Sequence, residues 1–266
     1  MNDRDGVGED RLELDLERIP FETDRGIGAR AALGLLVLET DQTIEDEFRA
    51  IWPDRGVALY AARLHNDVQI TPETLLQMRD LIAPTTRLLP FMVDLSVVAF
   101  ACTSGSLVIG EQQVAELIRG VRPKAKVTDP VTAALAALRA TGVRRVALLT
   151  PYVRAINLRL RSALMARGLQ IPVMGSFNES DDDVVARIAP ESLLEAIVQV
   201  GRSASCDGVF VSCTSLRVAR IAEQAEALIG KPVTSSNHAL AWHMLRLAGI
   251  DDRIDGFGRL YRTGLG

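Results

Sequence analysis

Cysteine and histidine are scarce in this 266-residue chain, three of each, and neither falls in the spacing that a metal site needs. No Cys-x-x-Cys pair occurs, and His65, His238 and His243 lie far along the sequence from Cys102, Cys206 and Cys213, so a tetrahedral zinc site has little to stand on. An odd number of cysteines in a chain of this length argues against a disulfide framework and for reduced thiols. Apolar runs approaching the ~20 residues of a membrane span are missing, and the acidic opening MNDRDGVGED lacks the apolar core of a secretory signal. The net charge is only -4 and the basic residues are scattered, which leaves no footprint for nucleic acid or for a membrane surface. Neither a G-x-G-x-x-G turn after a strand nor a P-loop is found, against a nucleotide-binding dehydrogenase or a phosphate-cradling enzyme. The expectation is a cytoplasmic protein with a small-molecule partner, no nucleic acid, no membrane, no metal and no cofactor.

What is present is an ordinary globular composition, 48% hydrophobic and 24% charged, arranged as short β-branched runs alternating with amphipathic segments. That rhythm predicts strands and helices around parallel sheets. Strands are expected at 33–38, 57–64, 96–101, 143–149, 171–175, 208–212 and 232–235. Helices are expected at 44–52, from Thr71-Pro72, from Asp129-Pro130 to near Gly142, over 153–167, from near Pro190, and from Ser236 or Asn237. A capping residue before a proline marks two of these starts. The strand runs are continuously apolar, as in sheets covered on both faces. The fold class read from this pattern is α/β. Residues 1–30 read as an extension, 31–130 with 238–266 as a first lobe, and 131–237 as a second.

One device occurs twice. Val97-Val98-Ala99-Phe100-Ala101 runs into Cys102-Thr103-Ser104, and Val209-Phe210-Val211-Ser212 runs into Cys213-Thr214-Ser215. A helical pattern follows each, near Leu107 and near Leu216, so each thiol is expected at a strand's carboxyl end and the mouth of a helix, the edge where open α/β sheets bind ligands. Amide N–H groups and the helix dipole there should lower a cysteine pKa below its free value of ~8.5 and make the thiol a nucleophile or base. The adjoining hydroxyls would cradle a carboxylate or an enolate-like charge. A single cysteine at a strand end is more often inert core; the repetition is what argues for chemistry. Cys206 lacks the hydroxyls and reads as structural, and His65 reads as a loop histidine.

On these residues the chain resembles the aspartate/glutamate racemase superfamily and, within it, the maleate cis-trans isomerase family, from Arg30 to the end. The resemblance implies two pseudo-symmetric, Rossmann-like lobes with parallel sheets, an active site in the cleft between them, Cys102 and Cys213 as the catalytic pair, and a homo-oligomer. In such isomerases one cysteine adds to an alkene, allows rotation and leaves, while the other manages the proton. In racemases the pair works as two bases on opposite faces of a carbon acid. Thr150-Pro151-Tyr152 also matches, with Tyr152 as a substrate-binding hydroxyl or, equally, an aromatic anchoring a helix start. Substrate-binding roles are implied for Thr103, Ser104, Thr214 and Ser215 as well.

Two positions depart from the pattern. Asp41 stands where maleate isomerases carry an asparagine, and a similar replacement would place Asp182 at a second such asparagine, although the run Asp181-Asp182-Asp183 reads more readily as a solvated loop. An anionic Asp41 would repel a dicarboxylate at short range. The segment 39–47, the Cys-Thr-Ser-Gly-Ser run at 102–106 and the ending Gly256-Phe257-Gly258-Arg259-Leu260 are most similar to the ectoine-utilisation branch, and a zwitterionic or cationic amino-acid-like substrate would suit Asp41. The readings carried forward are a cofactor-independent isomerase or racemase, a decarboxylase of a malonate-type acid, and a non-catalytic small-ligand binding or regulatory protein.

Overall fold

The computed structural model describes residues 14, 16–52, 56–67 and 72–265. Two four-stranded sheets, each entirely parallel, are built with the same order. The first is β2-β1-β3-β4, from β1 (Ala31–Leu38), β2 (Val57–Leu64), β3 (Val97–Ala101) and β4 (Lys126–Thr128); the second is β6-β5-β7-β8, from β5 (Arg145–Thr150), β6 (Gln170–Ser176), β7 (Gly208–Val211) and β8 (Val233–Ser235). The repeated strand order is the internal duplication seen as architecture. No helix among the described residues is long and apolar enough to cross a membrane.

Successive residues of a strand face opposite sides of its sheet, and β1 and β3 show what that does. Leu33, Leu35, Val37, Val97, Ala99 and Ala101 enter a large core shared with the second sheet, whereas Leu36, Val98 and Phe100 enter a separate core on the outer face. The shared core is filled by α6 (Pro130–Ala140) and α11 (Ser236–Leu247), which contact each other along their length. Asp129 caps α6 by accepting from Val131 N and Thr132 N, with Pro130 in the first turn, as the sequence predicts. Helix α11 leaves β8 of the second sheet yet packs on α1 (Ile44–Ile51), β3 and β4 of the first. A helix buried all round needs its polar groups satisfied, and on α11 nearly all are, Asn237 Oδ1 being an exception. His243 meets Thr128, and the Arg246 guanidinium donates to the carbonyls of Ile250, Asp252, Tyr261 and Thr263, pinning the C-terminal segment.

Differences from expectation are local. The strand β4 and the helices α3 (Arg79–Arg87), α5 (Glu111–Arg119) and α8 (Asp182–Ala186) were not read from the pattern. Helix α4 (Thr103–Ile109) begins at Thr103, not near Leu107. The proposed cap Thr71, and most of the 1–30 extension, lie outside the described residues; the described part, Leu14 and residues 16–30, carries no strand or helix. The larger correction concerns Cys213. No helix begins beside it: Thr214 and Ser215 form a turn, residues 216–218 are irregular, and a short 3-10 turn at Ala219–Ile221 precedes α10 (Ala222–Ile229).

Candidate active site

Both cysteines sit at carboxyl ends of central strands, and they are held differently. Cys102 caps α4: its Sγ accepts from Gly105 N at 3.2 Å, and its carbonyl accepts from the Ser106 hydroxyl at 2.7 Å. Both of these partners lie within four residues of it. Cys213 stands in an irregular loop whose shape comes from elsewhere. Its N–H donates to Ser236 Oγ at 3.2 Å, its Sγ accepts from Ser215 N at 3.4 Å, and the next carbonyl, Thr214 O, accepts from Thr43 Oγ1 at 2.7 Å and Asn237 Nδ2 at 2.6 Å. Because that carbonyl is taken by side chains, it cannot begin a helical ladder.

The two motifs meet. The hydroxyls of Thr103 and Ser236 are 3.0 Å apart, so Ser236 touches both cysteine loops. Tyr152 follows β5, its carbonyl gripped by Asn157 Nδ2 and Ser176 Oγ, and its hydroxyl interacts with Cys213 and Ser104. Asp41 starts α1 by accepting from Thr43 N at 2.8 Å and Ile44 N at 2.9 Å through Oδ1. The Thr214 hydroxyl interacts with that carboxyl but leaves Oδ2 buried without a hydrogen bond. Asp182 is the half-buried member of its acidic run, with Asp181 and Asp183 exposed beside it. It accepts from Ser215 Oγ at 2.8 Å and Thr40 Oγ1 at 3.3 Å.

One cavity of about 50 Å³ collects Asp41, Cys102, Thr103, Ser104, Tyr152, Asp182, Cys213, Thr214 and Ser215, every residue singled out from the sequence. Thr40, Asn66, Leu75 and Met78 also line it and were missed, as were Ser236, Asn237 and Glu47 in the shell behind it. No lysine, arginine or histidine is among the described residues of its wall. His65 is outside it, exposed and paired with Glu39, and Cys206 is buried under the carbonyls of Val200, Gly201 and Ser203.

The electrostatics overturn one expectation. Both thiols are pushed up to about 12, not down, because burial outweighs the donors each has. Gly105 N opposes the rise at Cys102; Ser215 and the Tyr152 hydroxyl oppose it at Cys213. Charge on Cys213 raises Cys102 further, and Asp182 raises both. Burial likewise raises Asp41 and Asp182, and takes Glu47 to about 7. The arrangement is two neutral thiols on one cavity, each discouraging the other's ionisation, ringed by hydroxyls and by carboxyls that hold their protons longer than usual. Such a pair can hand one proton across a small carbon framework.

The family model described as "Amdase: Arylmalonate decarboxylase" matches residues 33–261. The arylmalonate decarboxylase of Bordetella bronchiseptica is 35% identical over 136 residues, covering 50% of this chain and 57% of that protein. The maleate isomerase of Nocardia farcinica is 28% identical over 243 residues, 86% of this chain and 95% of its own length. A structure of the Nocardia farcinica maleate cis-trans isomerase, a cysteine-to-serine mutant with a covalently bound succinylcysteine intermediate, superimposes with a TM-score of 0.77 at 25% identity, covering 87% of this chain and 98% of that one.

Proposed function

Because the chain belongs to the arylmalonate decarboxylase (Amdase) family, matched over residues 33–261, we propose that it is a cofactor-independent isomerase or racemase acting on a small carboxylate or amino-acid-like substrate through Cys102 and Cys213. The observation that carries the reading is that both thiols, far apart in sequence, line one cavity with the hydroxyls of their own motifs. The chain is an enzyme of the isomerase class, working between the lobes 31–130 with 238–266 and 131–237.

For an alkene, the thiolate of one cysteine forms a C–S bond while the other thiol gives its proton to the neighbouring carbon. Rotation follows about the new single bond; return of the proton and cleavage of the C–S bond then release the isomer and restore both sulfurs. For a carbon acid, one sulfur takes the α proton and the other supplies one to the opposite face, which inverts the centre. Both routes need one sulfur ionised at a time, and the charge of one thiolate disfavours ionisation of the other. Tyr152 and Ser215 offer donors to a Cys213 thiolate, and Thr103, Ser104 and Thr214 face the substrate's carboxylate.

A cavity with Asp41 and Asp182 and no cation on its described wall suits an acid that also carries an ammonium group, consistent with the likeness to the ectoine-utilisation branch. A cytoplasmic homo-oligomer is part of the same reading. Decarboxylation of a malonate-type acid is the second reading, favoured by the family description and the 35% identity to the Bordetella enzyme.

The test is incubation with a panel of small acids and amino acids in heavy water, followed for deuterium uptake, isomer conversion and carbon dioxide release. Cys102→Ser and Cys213→Ser should each lose about a hundredfold or more of the turnover. Full activity in either variant overturns the two-thiol reading, and carbon dioxide release without isomer conversion favours the decarboxylase.

A further inference from the structure

Glu47 touches nothing in the cavity, yet it reaches from α1 across to the loop that carries Cys213. Its Oε1 accepts from Ala219 N at 2.6 Å and its Oε2 from Asn237 Nδ2 at 2.9 Å. The same Asn237 amide donates to Thr214 O, the carbonyl next to Cys213, and its own Oδ1 is left without a donor. Asn237 has therefore turned its amide to serve two acceptors at the cost of its oxygen. Ser236, its neighbour on α11, takes the Cys213 N–H and meets Thr103.

We infer that Glu47 is a positioning residue for Cys213, acting through Asn237 and the backbone of Thr214 and Ala219. The inference rests on Cys213 being one of the reacting pair. A carboxyl that is 3% exposed is costly to bury, and core packing of α1 would be served as well by an apolar side chain. What such a side chain could not do is hold both Ala219 N and the Asn237 amide. Cys102 is held differently: its hydrogen-bond partners Gly105 and Ser106 belong to its own helix start, whereas Cys213 has no helix beside it and its loop is held by Thr43, Ser236 and Asn237, at the start of α1 and on α11. Loss of Glu47 should thus loosen one cysteine and spare the other.

The experiment is site-resolved alkylation of the folded full-length protein with iodoacetamide at about pH 9, where some thiolate forms, read by mass spectrometry for each cysteine. In Glu47→Ala, Cys213 should react about tenfold faster than in the wild type through local opening, with Cys102 changed by less than about twofold. Cys206, buried in the second lobe, reports global loosening. Glu47→Gln keeps the size and one acceptor and should give a smaller rise at Cys213 alone; it carries the same expectation if the alanine variant does not fold. Equal acceleration at all three thiols, or none at Cys213, overturns the assignment. If Cys213→Ser remains fully active, the functional reading falls while the alkylation pattern still reads the clamp.

Discussion

The Ser215 hydroxyl donates to Asp182 at 2.8 Å while the amide of the same residue points at Cys213 Sγ at 3.4 Å. One serine thus links a carboxyl to a thiol across two elements, α8 and the loop after β7. Burial raises the Asp182 pKa, and the charge on Asp182 is second only to burial among the causes that raise Cys213.

Asp182→Asn keeps an acceptor for Ser215 and removes that charge. Above the raised pKa of Asp182, where the wild type carries the charge, the Cys213 thiolate should be about tenfold more populated in the variant, the effect of roughly one pKa unit. Below it, where Asp182 is protonated in the wild type, the two proteins should match. The pH profile of Cys213 alkylation measures this, and superimposable profiles across the range would show that Asp182 and Cys213 are uncoupled.

Gly105 donates its amide to Cys102 Sγ, and a Cβ there would lie 2.9 Å from Met78 Cε and 3.1 Å from both Cys102 Sγ and Phe100 Cε1. Met78 can yield because its end is flexible; the sulfur and the ring are held in place. Gly105→Ala should therefore fold, cost about 1–3 kcal/mol through overpacking, and lower turnover more than stability explains, because the Cys102 thiol is pushed off its donor. Thermal unfolding together with Cys102 alkylation checks it; an unchanged alkylation rate at Cys102 would mean that the sulfur keeps its place.

Strand ends and chemistry were legible because a parallel sheet writes itself as apolar runs and puts its functional residues where those runs stop. That is why Cys102 and Cys213 could be found from the pattern alone, whereas Tyr152 and Asp41 were implied only by the family resemblance; all four line one cavity. What escaped was anything set by contact between distant segments. Glu47 lies in the acidic run Glu45-Asp46-Glu47, which reads as a solvated helix start until α11 is seen to cover it. Ser236 is one more serine in a capping sequence until it is found between Thr103 and Cys213. The helix expected after Cys213 failed for the same reason, since its first carbonyl is claimed by Thr43 and Asn237 from other elements. The thiol pKa was misjudged because a strand end shows its N–H donors in the sequence but not its depth of burial. A signal for Ser236 was available: β8 ends in the hydroxyl run Thr234-Ser235, continued by Ser236, much as β3 and β7 are followed by Cys-Thr-Ser.

Asp41 is the position where stability and specificity meet. Its Oδ1 holds the first turn of α1, and its buried Oδ2 has no hydrogen bond. Burial raises its pKa above the ordinary value for an aspartate. A carboxyl with a higher pKa folded than unfolded binds more protons in the native state, so its contribution falls as pH rises from the unfolded pKa through the folded one. Asp41→Asn keeps a capping acceptor and removes the charge. The variant should match the wild type near pH 4 and become progressively more stable than it as pH rises towards 8. Urea unfolding across that range measures the difference, and a constant offset at all pH values would deny Asp41 its charge penalty. The same exchange should alter ligand preference in the opposite sense for two probes. Maleate, repelled by a carboxylate at short range, should bind about tenfold better to Asp41→Asn, and aspartate, whose ammonium loses its partner, should bind more weakly. Titration calorimetry with both acids decides it: equal changes for the two would leave Asp41 a helix cap and nothing more.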